Sequence, residues 1–228
     1  SAVFYGWVHP CFLILVYASA ILDFNMGLAM QRWPDRKKWF LLASLAGNLG
    51  MLGAFKYLDF FLLNVEAVLS ALHLSPGLQV LGIALPAGIS FYTFQTMSYT
   101  IDIYRGECTP RRNFLDYIVF VGFFPQLVAG PIERARRLLP QVEKDRVFAW
   151  ADVRSGFGLA MRGLMKKVIV ADTLAPYVDK VFQLQDPQWP LLWMAVIGFT
   201  FQILCDFSGY TDLARGTARM LGFELVRN

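Results

Sequence analysis

Apolar residues gather in long blocks along the chain, and the charges collect between them. The first block, 10–30, opens on Pro10, a residue suited to the first turn of a helix, and is long enough to span a bilayer. The block 39–61 is the next span, and Gly47, Gly50 and Gly53 recur along it every third residue, allowing close helix approach. The basic stretch between the two, 31–38, carries Arg32, Arg36, Lys37 and Lys38 against Asp35, which reads as a cytoplasmic loop. The loop that follows, as far as Gln79, has Glu66 and no Lys or Arg, and reads as external. Residues 78–99 then return toward the cytoplasm, with Pro86 kinking or interrupting them.

The second half is less regular. Residues 115–130 are apolar but short, with basic stretches on both sides, so they predict a re-entrant or tilted half-span. Residues 131–154 read as a loop. In 157–171, Arg162, Lys166 and Lys167 alternate with leucines and methionines, the pattern of a basic amphipathic helix lying in the headgroup plane. A polar connector over 176–190 leads to a last apolar segment, 191–205. The expected fold is all-α: a polytopic integral membrane helix bundle with short, broken or re-entrant helices and an interfacial amphipathic helix. It forms one membrane domain over 1–228, which reads as truncated at both ends.

Polar residues inside such blocks are informative, because a group without a partner in hydrocarbon costs several kcal/mol. Gln95, Ser98, Tyr99 and Asp102 are spaced i, i+3, i+4, i+7 and share one helical face. Arg105 follows one turn on, as a partner for Asp102 or for the phosphates of a donor. Gln126, Gly130, Pro131 and Arg134 are expected to form a second wall. Asp206, Ser208, Tyr210 and Asp212, at the end of the last apolar run, form a third, with Arg215 as a surface ion-pair partner of Asp212. Asp23 and Asn25 are candidates for the cavity or the interface. Either the three walls line a polar path, or their hydrogen bonds fix the bundle.

Composition agrees with a membrane protein: 56% of residues are hydrophobic and 17% charged, against roughly 45–50% and about 25% in soluble domains. The net charge of +4 is dispersed over loops without interleaved stacking aromatics, so nucleic acid is not an expected partner. Cys11, Cys108 and Cys205 are odd in number and widely spaced, which suggests buried free thiols, and no metal-ligand pattern is present. No charged leader precedes the apolar start.

Three stretches, PAGISFYTFQTMSYTIDIYRGE (86–107), FFPQLVAGPIER (123–134) and FQILCDFSGYTDLARGTARMLGFE (201–224), occur in an order that resembles the membrane-bound O-acyltransferase superfamily. Within it they are most similar to the alginate O-acetyltransferase branch, with the D-alanyl transfer proteins of teichoic acid modification as more distant relatives. The resemblance implies an enzyme of the bacterial inner membrane that takes an acetyl group from acetyl-CoA or an acyl carrier protein on the cytoplasmic side. The group would pass to hydroxyls of an exported polysaccharide, with an extracytoplasmic partner protein; membrane lipid is the other partner, and no bound cofactor is implied. In that family the invariant histidine lies downstream of the third block, after an Arg- and Trp-rich helix that this sequence does not contain. His9 and His73 occupy no family motif, so no catalytic residue is assigned, and the chain alone is expected to be inactive. Two other classes fit the same polar stripe: a transporter or channel with an intramembrane polar path, and a non-catalytic scaffold subunit.

Overall fold

The computed structural model describes residues 6, 11–74, 77, 86, 88–127, 130, 131 and 133–227. All regular elements among them are helical. The chain divides into two compact units, one of residues 1–124 with 134–142, the other of 125–133 with 143–228.

The first unit begins with α1 (Cys11–Arg32), a helix long and apolar enough to cross a membrane. After a short 3₁₀ turn come α2 (Lys37–Leu52), a π-helical turn over Gly53–Tyr57 and α3 (Leu58–Ala71), without a break in the helical run. Much of the expected external loop, 62–71, is therefore helix. It ends in a Schellman-type turn: Leu74 N–H donates to Leu69 O at 2.8 Å and His73 N–H to Ser70 O at 3.0 Å. His73 takes the left-handed position of that turn, φ 62°, and is exposed. A C-cap role explains this histidine.

Pro86 precedes α4 (Ile89–Arg105); the expected segment 78–85 lies outside the described residues. Helix α4 stops at Gly106, φ 76°, where Glu107 N–H reaches Asp102 O at 2.8 Å and Gly106 N–H reaches Ile103 O at 3.0 Å. Glycine accepts that φ without the Cβ clash that other residues meet. Helix α5 (Phe114–Val121) is capped by the Asn113 side chain, which accepts from Leu115 N–H. Its eight residues measure about 12 Å, less than half of the ~30 Å hydrocarbon thickness. It is followed by the single turn α6 (Phe124–Leu127) and by α7 (Ala135–Glu143). The stretch 131–154, expected as loop, thus contains a helix.

Helix α4 is the centre of the first unit. It packs against α1, α2 and α5, and Tyr92, Thr93, Gln95, Thr96, Met97, Tyr99, Thr100 and Asp102 are all buried. Of the three glycines expected at a helix contact, only Gly47 meets a neighbour, the Leu22 side chain; at Gly50 and Gly53 a Cβ would find open space. Another glycine, Gly27 on α1, does meet α4: a Cβ there would lie 2.9 Å from the Ile103 side chain and 3.1 Å from the Tyr99 ring.

The second unit is built on α8 (Trp150–Met165), a π-helical segment Lys166–Ala171, α9 (Asp172–Phe182) and α10 (Trp189–Met220). Pro176 sits inside α9, so the expected connector shrinks to 183–188. Helix α10 runs 32 residues without interruption, about 48 Å at 1.5 Å per residue. The expected boundary at Cys205 does not exist. The first ~19 residues would cover the hydrocarbon thickness alone, so the polar third block continues past it as helix. The residues that α10 buries are Ala195, Gly209, Ala214, Gly216 and Ala218. Its large side chains point away, with Trp193, Met194, Phe201, Leu204 and Phe207 more than half exposed.

Those small residues form a seam with α8. A Cβ on Gly216 would lie 2.5 Å from Ala160 N and 2.6 Å from Gly156 O; one on Gly163 would lie 2.5 Å from Gly209 O. Backbones touch here, as in small-residue contacts between membrane helices. The apolar residues of α8 and the π segment, Phe157, Met165, Val168 and Ile169 among them, remain exposed.

Candidate functional site

Within the first unit, three helices each offer a polar pair at i, i+4: Ser19 and Asp23 on α1, Ser44 and Asn48 on α2, Thr96 and Thr100 on α4. That spacing stacks each pair on one helix face. All six residues are buried. Asp23 Oδ1 accepts from Ser44 Oγ at 2.6 Å and from Asn48 Nδ2 at 2.9 Å, and Oδ2 accepts from the same amide at 2.8 Å. Ser19 Oγ donates to Asn48 Oδ1 at 2.5 Å and lies 3.1 Å from Thr96 Oγ1. Ser44 Oγ is also 3.0 Å from Thr100 Oγ1. A carboxylate inside a span normally needs a partner; the hydrogen-bonding partners of Asp23 here are hydroxyl and amide groups. Asn25, two residues on, is exposed and bonds back to Ile21 O at 2.7 Å.

The α4 stripe faces protein. Gln95 Nε2 donates to Phe120 O at 2.8 Å, tying α4 to α5. Ser98, half-buried, donates to Gln95 O at 2.7 Å. Tyr99 is fully buried, its ring 4.6 Å from that of Tyr117, and its hydroxyl accepts from Arg111 N–H at 3.1 Å. Asp102 is 3% exposed, and its Oδ2 has no hydrogen-bond partner. The expected ion pair is not made: Arg105, the last residue of α4, is exposed and lies outside salt-bridge distance of Asp102. Arg134 lies in this unit, 3.8 Å from Glu107, whose carboxylate Arg136 holds at 2.7 Å. Gln126 sits in α6, its side chain outside the described residues. Of the expected second wall, Arg134 belongs to the first unit and Gln126, Gly130 and Pro131 to the second.

In the second unit the third block divides between two faces of α10. Asp206 and Tyr210, at i, i+4, meet Lys167: its Nζ is 2.7 Å from Asp206 Oδ1, 2.8 Å from Asp172 Oδ1 and 5.2 Å from the Tyr210 ring. The hydrogen bonds to Asp172 and Asp206 hold the Lys167 ammonium above the ordinary lysine range. Ser208 and Asp212, also at i, i+4, meet Lys166, whose Nζ lies 2.8 Å from Ser208 Oγ and 2.6 Å from Asp212 Oδ2. The expected Arg215 partner is looser, 3.9 Å from Asp212. Lys166 and Lys167, expected as headgroup cations, are thus turned onto the α10 carboxylates.

Ser208 and Asp212 open onto a cavity of about 1030 Å³, lined by α8, α10 and Arg227. None of the α4 stripe lines it. Beside this unit's third block, Glu133 is fully buried, and its Oε1 accepts from the Val226 N–H. Glu133, Ser19, Ser44, Asn48, Thr96 and Thr100 are not among the expected site residues, although the i, i+4 pairing of the hydroxyl and amide residues in apolar blocks is a visible signal. Cys108 and Cys205 are free thiols, but half-buried rather than buried as expected. No cluster able to hold a metal occurs among the described residues.

These features define a class: a helical membrane protein whose buried polar groups are matched between helices. No protein-family model matches the chain. Over 232 residues and its full length it is 38% identical to the "probable alginate O-acetylase AlgI" of Azotobacter vinelandii, of which it covers 46%. It is 31% identical, again over its full length, to the "peptidoglycan O-acetyltransferase" of Helicobacter pylori, of which it covers 48%. Over 62% of its length it is 27% identical to the "teichoic acid D-alanyltransferase" of Bacillus subtilis, covering 36% of that protein. The chain spans a little under half the length of the first two relatives. These whole-chain homologues, the alginate O-acetylases first among them, are acyltransferases of the membrane-bound O-acyltransferase type.

Proposed function

We propose that this chain forms part of an O-acetyltransferase of the bacterial inner membrane that acts on hydroxyls of an exported polysaccharide. The observation that carries this reading is the full-length similarity to two proteins named as O-acetyl transferring enzymes of cell-surface polymers. The acyl donor is a thioester, acetyl-CoA or an acyl carrier protein, presented on the cytoplasmic side, and an extracytoplasmic partner protein hands the group to the polymer. Acyl transfer needs a base for the acceptor hydroxyl and donors for the oxyanion. His73 is exposed and committed to a helix cap, so it does not suit the role of base. The part played by these residues is to hold the acyl path. The matched polar core of α1, α2 and α4 keeps α4 fixed, and the α10 carboxylates sit with their lysines beside a cavity.

The test is expression from the natural reading frame in a bacterial host lacking its own polysaccharide O-acetyltransferase. Acetyl ester on the exported polymer, read by proton NMR, together with transfer of radiolabelled acetyl in isolated membranes, is the expected result. Membrane-inserted protein that yields no ester and no transfer with either donor would overturn the proposal.

A further inference from the structure

Cations dominate the charged lining of the 1030 Å³ cavity of the second unit. Five cations line it, Arg162, Lys166, Arg215, Arg219 and Arg227, with one carboxylate, Asp212. Asp212 is already held by Lys166 at 2.6 Å. Arg215 is 3.9 Å from it, with a buried Nε that has no hydrogen-bond partner. Arg219 is 3.7 Å from Asp152. Arg162 and Arg227 make no ion pair among the described residues. A cleft lined by one sign of charge concentrates a counter-ion, and several guanidinium forks suit the oxygens of a phosphate.

The apolar part of the lining says what the phosphate is attached to. Leu204 and Phe207 line the same cavity and are 60% and 64% exposed. They lie on α10 where its apolar stretch gives way to Ser208, Asp212, Arg215 and Arg219. Apolar wall and cationic wall therefore meet at the end of a helix long and apolar enough to span a membrane. We propose that this cavity binds the phosphate headgroup of an anionic membrane lipid, the acyl chains lying along Leu204 and Phe207. The volume accommodates a headgroup, since ligand pockets run about 300–1,000 Å³. This site is independent of the acyl-transfer reading and stands or falls separately from it.

The test is native mass spectrometry of the protein expressed from its natural reading frame, purified in neutral detergent and titrated with phosphatidylglycerol or phosphatidylcholine. Phosphatidylglycerol is expected to bind preferentially, and Arg162→Gln with Arg227→Gln is expected to weaken it roughly thirtyfold. Arg154→Gln, on an exposed position of α8 outside the cavity, is expected to leave binding unchanged. Excess inorganic phosphate or coenzyme A is expected not to displace the lipid. Equal binding of the two lipids, or an unaltered double variant, overturns the proposal. Displacement by phosphate or coenzyme A overturns the lipid assignment in favour of a soluble phosphate ligand. Should the double variant not fold, the wild-type preference is measured at low and high salt: a preference that falls with salt supports the site, and one indifferent to salt refutes it.

Discussion

The seam between α8 and α10 offers a sharp test, because its closest contacts are backbone to backbone. Adding a methyl at Gly216 places carbon 2.5 Å from Ala160 N, 2.6 Å from Gly156 O and 2.9 Å from Ala160 Cα. No side chain can rotate to relieve this. Restoring ordinary contact near 3.4 Å requires the two helices to separate by roughly 1 Å, which loosens packing along the seam. Over-packing in a tight interior costs about 1–3 kcal/mol, occasionally more, and a clash against two backbone segments belongs at the upper end. At Gly158, on the same α8, an added Cβ meets nothing within 4 Å. Exchanging this glycine for alanine should gain about 0.8–1 kcal/mol of helix propensity.

Gly216→Ala and Gly158→Ala are therefore predicted to move stability in opposite directions, by about 4 kcal/mol between them. At about 2–4 °C per kcal/mol for a chain of this size, their midpoints should differ by roughly 8–16 °C. The assay is thermal unfolding in detergent followed by circular dichroism at 222 nm. Gly163→Ala should behave like Gly216→Ala, since its Cβ would meet Gly209 O at 2.5 Å. Equal midpoints for the Gly216 and Gly158 variants would show that the two helices do not touch through backbone, and the account of the second unit would fail.

Other consequences are smaller but equally specific. Asn48→Ala removes the amide that serves both Asp23 oxygens and accepts from Ser19, and should cost about 2–4 kcal/mol, whereas Asn25→Ala should stay within about 0.5 kcal/mol; matched melting curves would contradict the buried network. A double-mutant cycle of Lys167→Ala and Asp206→Ala should give a coupling of about 1 kcal/mol or less, because both groups are partly exposed. Asp172 and Asp206 raise the Lys167 ammonium, so its contribution is complete below the ordinary lysine range and is lost only as pH climbs through the raised value; the coupling should be the same at pH 7 and pH 9, and a fall between them would refute the pairing. Glu133→Ala leaves the Val226 N–H without its acceptor, costing about 1–3 kcal/mol, and should speed proteolysis within 223–227; unchanged cleavage would mean that the carboxylate does not hold that segment.

Helix class and the existence of polar faces were legible in the sequence because each depends on spacing within one segment. Of the stripe Gln95, Ser98, Tyr99 and Asp102, three residues turn inward as the period implies, and Ser98 is half-buried and bonded back to its own helix. What spacing within one segment does not specify is the partner. Lys166 and Lys167 read as headgroup cations since no acid lies near enough on their own helix to neutralise both; their carboxylates, Asp206 and Asp212, are about 40 residues away on α10. Gly47, Gly50 and Gly53 make a better local pattern than Gly156 and Gly163, yet only the latter pair meets another backbone. A run of glycines marks a flat surface, and a seam needs two flat surfaces in register, here Gly156, Ala160 and Gly163 against Gly209 and Gly216.

The polar core shows that such matching leaves a trace when several segments are read together. Ser19 with Asp23, Ser44 with Asn48 and Thr96 with Thr100 repeat one spacing on three apolar helices, and each pair alone resembles a solvated or bent stretch. Burying the Asp23 carboxylate uncompensated would be prohibitive in hydrocarbon. A helix carrying it can persist only if neighbours bring donors at the same pitch. The carboxylate in α1 therefore demands the hydroxyl and amide in α2, so Asp23, the one charged residue of its block, points to a polar partner helix more directly than the richer stripe on α4 does.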